Sequence, residues 1–351
     1  MSVKKLLTLP PNLVKNFYKL CPEYKDSEWY CDSDPVDCKL GSGAGTARIV
    51  EQWQLNTGGE IRDKKIIIHA GGHSRRLPAY ATSGKLLTPI PVLRWAWGER
   101  LDRNLLAMQL PLYEQLIYQA PDSLTTLIAC GDMYIHTNCR NIPTPEADVV
   151  CYGMWVDASL ASHHGVFMCK HNTPARLDFM LQKPTVTQLS KLGRTHYFLM
   201  DSGVWLLSDK AIRLLSEKSK DVQGDYRFYD LYSQFGCALG DNPSKPDNSL
   251  SELTVAIVPL TDSQFYHFGT TRELLSSTLS LQNLIYDQRL ILRPDTKPNP
   301  ALFTQNCIMD SRLSECNDNV WVENSHIATG WKLTQDNFVT GVQENNRHIT
   351  K

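Results

Sequence analysis

No stretch of this chain approaches the roughly 20 consecutive apolar residues that a membrane-spanning helix needs. The N-terminal MSVKKLLTLPPNLVK meets its prolines too early to serve as a secretory leader. Both absences point to a cytoplasmic protein with no membrane partner. Charge of one sign is lacking too: 36 Lys+Arg stand against 37 Asp+Glu, a formal net charge of −1. No long-range field therefore draws nucleic acid, and no basic stripe interleaved with aromatics supplies a local one. The ten cysteines contain no paired CxxC. Cys31 and Cys38, like Cys130 and Cys139, lie too far apart for a zinc knuckle, so reduced and mostly buried thiols are expected. His163 and His164 are adjacent and would face opposite ways on a strand; with no HExxH spacing they read as a substrate contact or core, not as zinc ligands. The P-loop spacing and any Ser/His/Asp or Cys/His device are also missing.

What is present is a soluble globular composition, 42% hydrophobic and 21% charged over 351 residues, long enough for one large domain or a domain with a smaller partner. Short apolar runs alternate with amphipathic stretches, the α/β signature. Ile66-Ile67-Ile68 is a β-branched run ending at Gly71-Gly72, as expected of a parallel strand buried on both faces. A helix is expected from a cap at Asn104 to Gln119, broken or kinked near Pro111. Further strands are expected at Leu124–Cys130, Val149–Tyr152, Val204–Leu207 and Leu253–Val258. Helices are expected at Asp209–Lys218 and Arg272–Gln288, and Gly240–Ser251 is a polar loop.

The texture changes near residue 293, at the proline-rich RPDTKPNPA. Beyond it Trp321, Ile327, Leu333 and Val339 recur every six residues, the period of a hexapeptide β-helix or a chance spacing of ordinary strands. The expected domains are 1–292, an α/β domain, and 293–351, a linker with the start of a solenoid. A solenoid coil takes roughly 18 residues. The tail then holds few coils and no cap, so a polypeptide continuing past Lys351 is expected.

Two glycine-rich segments suit anions. Leu40-Gly-Ser-Gly-Ala-Gly-Thr46 reads as a loop in which Gly41, Gly43 and Gly45, beside Ser42 and Thr46, let backbone N–H groups close around phosphate; a structural turn is an equal reading of these residues alone. His69-Ala-Gly-Gly-His-Ser-Arg-Arg-Leu-Pro78 leaves a strand directly, where open α/β sheets bind ligands. Gly71 and Gly72 allow close backbone approach, and Arg75 and Arg76 offer planar charged forks suited to phosphate. Lys85, seven residues past Pro78, is a point charge for the same anion. Asp132, where a strand ends in Gly131-Asp132, reads as a turn former or as an oxygen ligand for a hard cation such as Mg2+.

Together these residues resemble the sugar-nucleotide pyrophosphorylases, and among them the L-fucose-1-phosphate guanylyltransferases, including the amino-terminal part of bacterial bifunctional enzymes that add a fucose kinase. The resemblance runs from Leu6-Leu-Thr-Leu-Pro-Pro11 through Val149-Val-Cys-Tyr-Gly153 to Trp321-Val-Glu-Asn-Ser-His326. It implies a Rossmann-like nucleotidyltransferase domain with a mixed, mostly parallel sheet, followed by the beginning of a left-handed parallel β-helix. It further implies GTP and L-fucose-1-phosphate as substrates, Arg76 and Lys85 as triphosphate contacts, and Asp132 as the magnesium aspartate. His164-Gly-Val-Phe167 and Leu181-Gln-Lys-Pro184 are similar to the sugar-site glycine and Glu-Lys-Pro motifs. His164 and Gly165 thereby fall to the sugar and Lys183 to the sugar phosphate. Met200-Asp-Ser-Gly-Val-Trp205 resembles the segment lining the sugar pocket, with Asp201 a substrate contact.

The chain departs from the pattern twice. Gln182 stands for Glu, and His267-Phe-Gly-Thr270 replaces Asp-x-Gly-Thr, so Asp132 lacks its usual carboxylate partner unless Asp201 substitutes. Trp155 and Trp205 lie in the sugar-site segments, and each reads as core. The chemistry implied is in-line GMP transfer by positioning and charge, without a general base. A pyrophosphorylase for another nucleotide and sugar, or a binding module without turnover, remains open. The resemblance also admits a C-terminal sugar kinase, and an uncapped solenoid end is a natural surface for a homo-oligomer or a following domain.

Overall fold

The structure is a computed structural model that describes residues 2–35, 38–72, 74–90, 104–283, 302–311 and 318–342. Its chain divides into two compact units. The first comprises Met1–Gly72, Gln109–Gly131 and Ile135–Phe265; the second comprises His73–Met108, Asp132–Tyr134 and Tyr266–Lys351.

The elements begin with β1 (Lys4–Thr8), α1 (Pro11–Leu20), β2 (Trp29–Asp32), α2 (Gly41–Thr57), β3 (Lys65–His69), α3 (Leu105–Gln119), β4 (Leu124–Cys130) and β5 (Met133–Thr137). They continue through β6 (Val149–Met154), α4 (Ala158–Ala161), β7 (Gly165–Lys170), β8 (Phe179–Gln182), α5 (Val186–Leu192), β9 (His196–Ser208) and α6 (Asp209–Lys218). Last come β10 (Val255–Pro259), β11 (Ser263–His267), α7 (Thr271–Asn283), β12 (Leu302–Gln305), β13 (Ile308–Met309), β14 (Asp318–Glu323), β15 (His326–Ile327) and β16 (Gln335–Thr340).

The first unit is built on a mixed sheet of order β10-β6-β9-β4-β3-β1-β2, with β7 on β9 and β8 on β7. Strands β2, β1, β3 and β4 are parallel, Ile67 pairing with Leu6 on one side and Ile128 on the other. Ile66, Ile67 and Ile68 are fully buried, which is why a central parallel strand is an uninterrupted β-branched run. Lys65 enters the same strand fully buried. Its ammonium donates to Ile61 O at 2.6 Å and Thr126 Oγ1 at 3.3 Å, and burial lowers its pKa to about 8. The expected strand at 204–207 is the end of β9, which is antiparallel to β4, β6 and β7. At its end Ser208 Oγ accepts the Ala211 N–H at 3.2 Å and caps α6, whose Ala211, Ile212 and Leu215 are buried.

Two expectations are corrected. Residues 41–46 are not a loop: they form the opening turns of α2, which buries Ile49, Val50 and Trp53 further on. Helix α3 does not break at Pro111. Asn104 Oδ1 accepts the Ala107 N–H at 3.0 Å, and Leu110, Leu112 and Tyr113 are buried on both sides of the proline, holding the two halves in one helix.

In the second unit Leu77, Ile90, Leu105, Phe268, Leu274 and Leu281 share a core. Farther along, β12, β14 and β16 are parallel neighbours, as are β13 and β15. Leu302 pairs with Val320 and Val320 with Asn337, offsets of 18 and 17 residues between paired positions. Trp321 and Ile327 are fully buried and Leu333 nearly so, in line with the six-residue spacing, while Val339 is half-buried. Asn306 and Asn324 occupy equivalent left-handed corners (φ 50° and 46°), and Asn306 Nδ2 donates to Asn324 Oδ1 at 2.7 Å. The proline-rich segment and the expected boundary at 292–293 lie outside the described residues.

Candidate active site

In the first unit, parallel strands β1, β3 and β4 end at Thr8, His69 and Cys130. Beyond β3 the backbone of Gly71 and Gly72 is exposed. A Cβ on Gly72 would meet nothing within 4 Å, and one on Gly71 only Thr8 Oγ1 at 4.0 Å, so another molecule can approach this backbone closely. The first glycine motif is different. A Cβ on Gly41 or Gly43 would lie 2.8 or 2.9 Å from Tyr229 O, and the Ala44 N–H donates to that same carbonyl at 2.9 Å. Gly41 and Gly43 therefore admit the protein's own backbone. Ser42 is likewise committed, its hydroxyl donating to Asp230 Oδ2 and accepting the Leu231 N–H, both at 3.0 Å. Gly45 and Thr46 are buried, and Thr46 Oγ1 contacts His69 Nε2 and Ser42 O, each at 2.8 Å.

The sugar-site candidates cluster on β7, β8 and β9. A Cβ on Gly165 would fall 2.7 Å from Met180 Cε, 2.8 Å from Gln182 Nε2 and 3.3 Å from Asp201 Cβ, so glycine is what lets these strands close. Asp201 is 6% exposed, at the irregularity where β6 and β9 shift register. Its Oδ1 accepts the Gly203 N–H at 2.8 Å and the Trp205 Nε1–H at 2.9 Å, yet burial raises its pKa to about 6. Lys183 is exposed, follows β8 and adopts φ 49°, its N–H donating to His164 O at 2.9 Å. His164 is half-buried, edge-on to Phe265 at 5.5 Å. Trp205 is core as expected, whereas Trp155 is 54% exposed and packs edge-on against Tyr197, a correction to its expected burial.

The second unit brings Lys85 and Asp132 together, Lys85 Nζ lying 2.8 Å from Asp132 Oδ2. His267 Nε2 lies 3.5 Å from the same oxygen, and His267 Nδ1 is 2.9 Å from Glu273 Oε1. Burial opposes charge on His267, but the two carboxylates overcome it and raise its pKa to about 9. Asp132 is held below the carboxylate range: burial opposes its ionisation, and the hydrogen bond and charge of His267, with Lys85, override it. The His267 hydrogen bond lowers Glu273 to about 2. Gly269 makes room, since a Cβ there would lie 2.6 Å from His267 Cε1. Arg75 and Arg76 are exposed, and Arg76 O accepts the Thr271 N–H at the start of α7 at 2.9 Å.

Sequence reasoning missed Glu273, although Thr270-x-x-Glu273 has the capping spacing and Thr270 Oγ1 does accept the Glu273 N–H at 3.2 Å. It also missed His69, for which only its place at a strand end was a signal. Among the described residues no three His, Cys, Asp or Glu side chains group as a metal site. The donor set fits magnesium in one way only: Asp132, ionised, can serve as a single oxygen ligand to a cation carried by substrate phosphates.

A family model of the fucose pyrophosphorylase domain matches residues 59–247. That stretch contains Gly71, Gly72, Arg76, Lys85, Asp132, Lys183 and Asp201 but neither 41–46 nor His267. A Bacteroides fragilis L-fucokinase/L-fucose-1-P guanylyltransferase is 51% identical over 98% of this chain and 37% of its own length. A Mus musculus fucose-1-phosphate guanylyltransferase is 22% identical over 71% of this chain and 50% of its own. An Arabidopsis thaliana bifunctional fucokinase/GDP-fucose pyrophosphorylase is 26% identical over 69% of this chain and 28% of its own. The chain thus spans half or less of the length of these three relatives.

Proposed function

The chain belongs to the fucose pyrophosphorylase family, and from that membership we propose that it transfers GMP from GTP to L-fucose-1-phosphate, releasing pyrophosphate and forming GDP-L-fucose. The observation that carries the proposal is the 59–247 match, because it holds the strand-end glycines, the basic residues and the Lys183 and Asp201 segments together. The attacking sugar phosphate is already an anion, so no general base is needed; the obstacle is repulsion between two anionic reactants.

Gly71 and Gly72 would let the backbone lie against the triphosphate, with Arg75, Arg76 and Lys85 spreading positive charge over the leaving pyrophosphate. Lys183 would hold the attacking phosphate, and His164, Gly165 and Asp201 would orient the sugar. Magnesium bound with the nucleotide would take an Asp132 oxygen and neutralise phosphate charge. Lys85 and His267 keep Asp132 ionised, ready for that task. The side chains of Ser42 and Thr46 are turned to structural work, and we assign the nucleotide to Gly71, Gly72, Arg75 and Arg76 in preference to 41–46.

The reading extends to a cytoplasmic enzyme, supported by the absence, among the described residues, of any helix long and apolar enough to cross a membrane. It also takes the 302–342 strands as the start of a left-handed β-helix, supported by their 17- and 18-residue offsets. Two of the three relatives are bifunctional with a fucokinase, which favours a kinase partner in a longer chain supplying the sugar phosphate. The test is pyrophosphate release with magnesium, crossing fucose-1-phosphate, mannose-1-phosphate and glucose-1-phosphate against GTP, ATP and UTP. Turnover confined to GTP with fucose-1-phosphate is expected, and turnover with another pair alone would overturn the reading.

A further inference from the structure

At the carboxyl ends of β1 and β3 runs a hydrogen-bond chain that the proposed chemistry does not use. Thr46 Oγ1 donates to Ser42 O at 2.8 Å, and a carbonyl cannot give a proton back. The single Thr46 proton is thereby spent, so its contact with His69 Nε2 at 2.8 Å is one in which His69 donates. A neutral imidazole protonated on Nε2 accepts on Nδ1, and Thr8 Oγ1 supplies that bond at 3.1 Å. The Ala70 N–H donates to the Thr8 carbonyl at 2.9 Å and shares a longer contact, 3.3 Å, with Thr8 Oγ1. Burial holds His69 neutral, with a pKa lowered to about 4, so one tautomer and one bond direction are fixed from Ala70 through to Ser42. The His69 carbonyl is anchored as well, accepting the Gly131 N–H at 2.9 Å. His69 is the last residue of β3, immediately before Ala70-Gly71-Gly72.

We infer that His69 is a positioning residue for the nucleotide: clamped between Thr8 and Thr46, it fixes the direction in which the Gly71-Gly72 backbone leaves β3, without touching the ligand. The inference rests on the reading of that backbone as the triphosphate contact. It explains why Thr46 is buried against His69, and why the ring of His69 also lies over Gly45, while Gly41 and Gly43 pack on Tyr229. Backbone donors act on a phosphate only if held to within roughly 0.5 Å, which an otherwise exposed glycine pair cannot ensure by itself.

The test combines calorimetric GTP binding with steady-state kinetics on the full chain, at temperatures well below each variant's unfolding midpoint. His69→Gln retains an amide N–H that reaches Thr46; His69→Asn reaches Thr8 only; Thr46→Val keeps the shape and removes the hydroxyl. His69→Gln is expected to bind GTP within about threefold of wild type, whereas His69→Asn and Thr46→Val weaken it by about tenfold or more. The two weak variants should raise KM for GTP and leave KM for fucose-1-phosphate unchanged, and the double variant should be no weaker than the worse single one. If His69→Asn fails to fold, Thr46→Val carries the comparison. Wild-type GTP affinity in the weak variants, a parallel rise of both KM values, or a His69→Gln as impaired as His69→Asn would overturn the inference. A wild-type chain that binds no GTP would instead remove the functional reading on which it rests, before any variant is compared.

Discussion

The backbone N–H of Lys183 donates to the carbonyl of His164 at 2.9 Å, and Lys183 makes that bond at φ 49°, in the left-handed region. A lysine there carries about 1–2 kcal/mol of strain that glycine would not. Lys183→Gly is therefore expected to raise stability by about 1 kcal/mol while lowering kcat/KM for fucose-1-phosphate by about 100-fold. Lys183→Ala should lose the same activity without the stability gain. Unfolding midpoints and the KM for each substrate check this; a Lys183→Gly chain that is fully active would deny the side chain its role.

Asp201 is a buried carboxylate with a raised pKa of about 6. Between about pH 4 and 6 the folded state keeps a proton that the unfolded state has released, so stability falls as pH rises through this window and stays lower above it. Asp201→Asn removes the buried charge and keeps an oxygen for Gly203 and Trp205. It should be more stable at pH 8 by up to about 3 kcal/mol, with no difference near pH 4, and should need more sugar phosphate for half-maximal rate. Denaturant midpoints at the two pH values decide the matter.

The sign is reversed at His267, whose pKa is raised to about 9. Its pairing with Asp132 and Glu273 is fully present below its unfolded value, near 6.5, and is lost as pH rises through about 9. Wild type should lose more stability than His267→Gln between pH 7 and pH 10, measured by thermal unfolding. Equal losses would show that the imidazolium is not what holds the two carboxylates.

Gly43→Ala places a methyl 2.9 Å from Tyr229 O and 3.0 Å from the Tyr229 ring, both packed firmly, and should cost about 2 kcal/mol or more. Gly72→Ala meets open space. Its stability should stay within about 0.5 kcal/mol of wild type, while KM for GTP rises because the methyl blocks approach to the backbone. The reverse ranking in unfolding and kinetic assays would return the nucleotide to residues 41–46.

Elements whose burial is uniform were legible. The Ile66–Ile68 run, the Leu124–Cys130 strand and the Ser208-capped helix each announce themselves by composition within a few residues. The direction of β9 was not legible, because a buried interior strand looks the same whether its neighbours run with it or against it. Nor was the use of Gly41 and Gly43. Glycine tolerates close approach by any atom, and Tyr229 is too distant in sequence to be read as the one that comes near. The site followed the same rule: Lys85 and Asp132 were named separately and their contact was not, since ion pairing is a relation in space. His267 was read as a gap in a pattern, whereas Glu273 and Gly269 make it a built position.

The second compact unit is assembled from three separate stretches, of which 73–108 precedes 266–351 by more than 150 residues. Leu77 and Ile90 share their core with Phe268 and Leu274, so the early stretch has no finished core of its own. At a synthesis rate of roughly 5–20 residues per second, residues 73–108 leave the ribosome on the order of ten to thirty seconds before their partners exist. During that interval Leu77, Ile90 and the Arg75-Arg76 turn are a nascent segment awaiting its complement. A premature stop before residue 266 would strand it permanently, giving a product whose β1–β4 sheet can form while its Lys85 and Asp132 side chains have no His267 to meet.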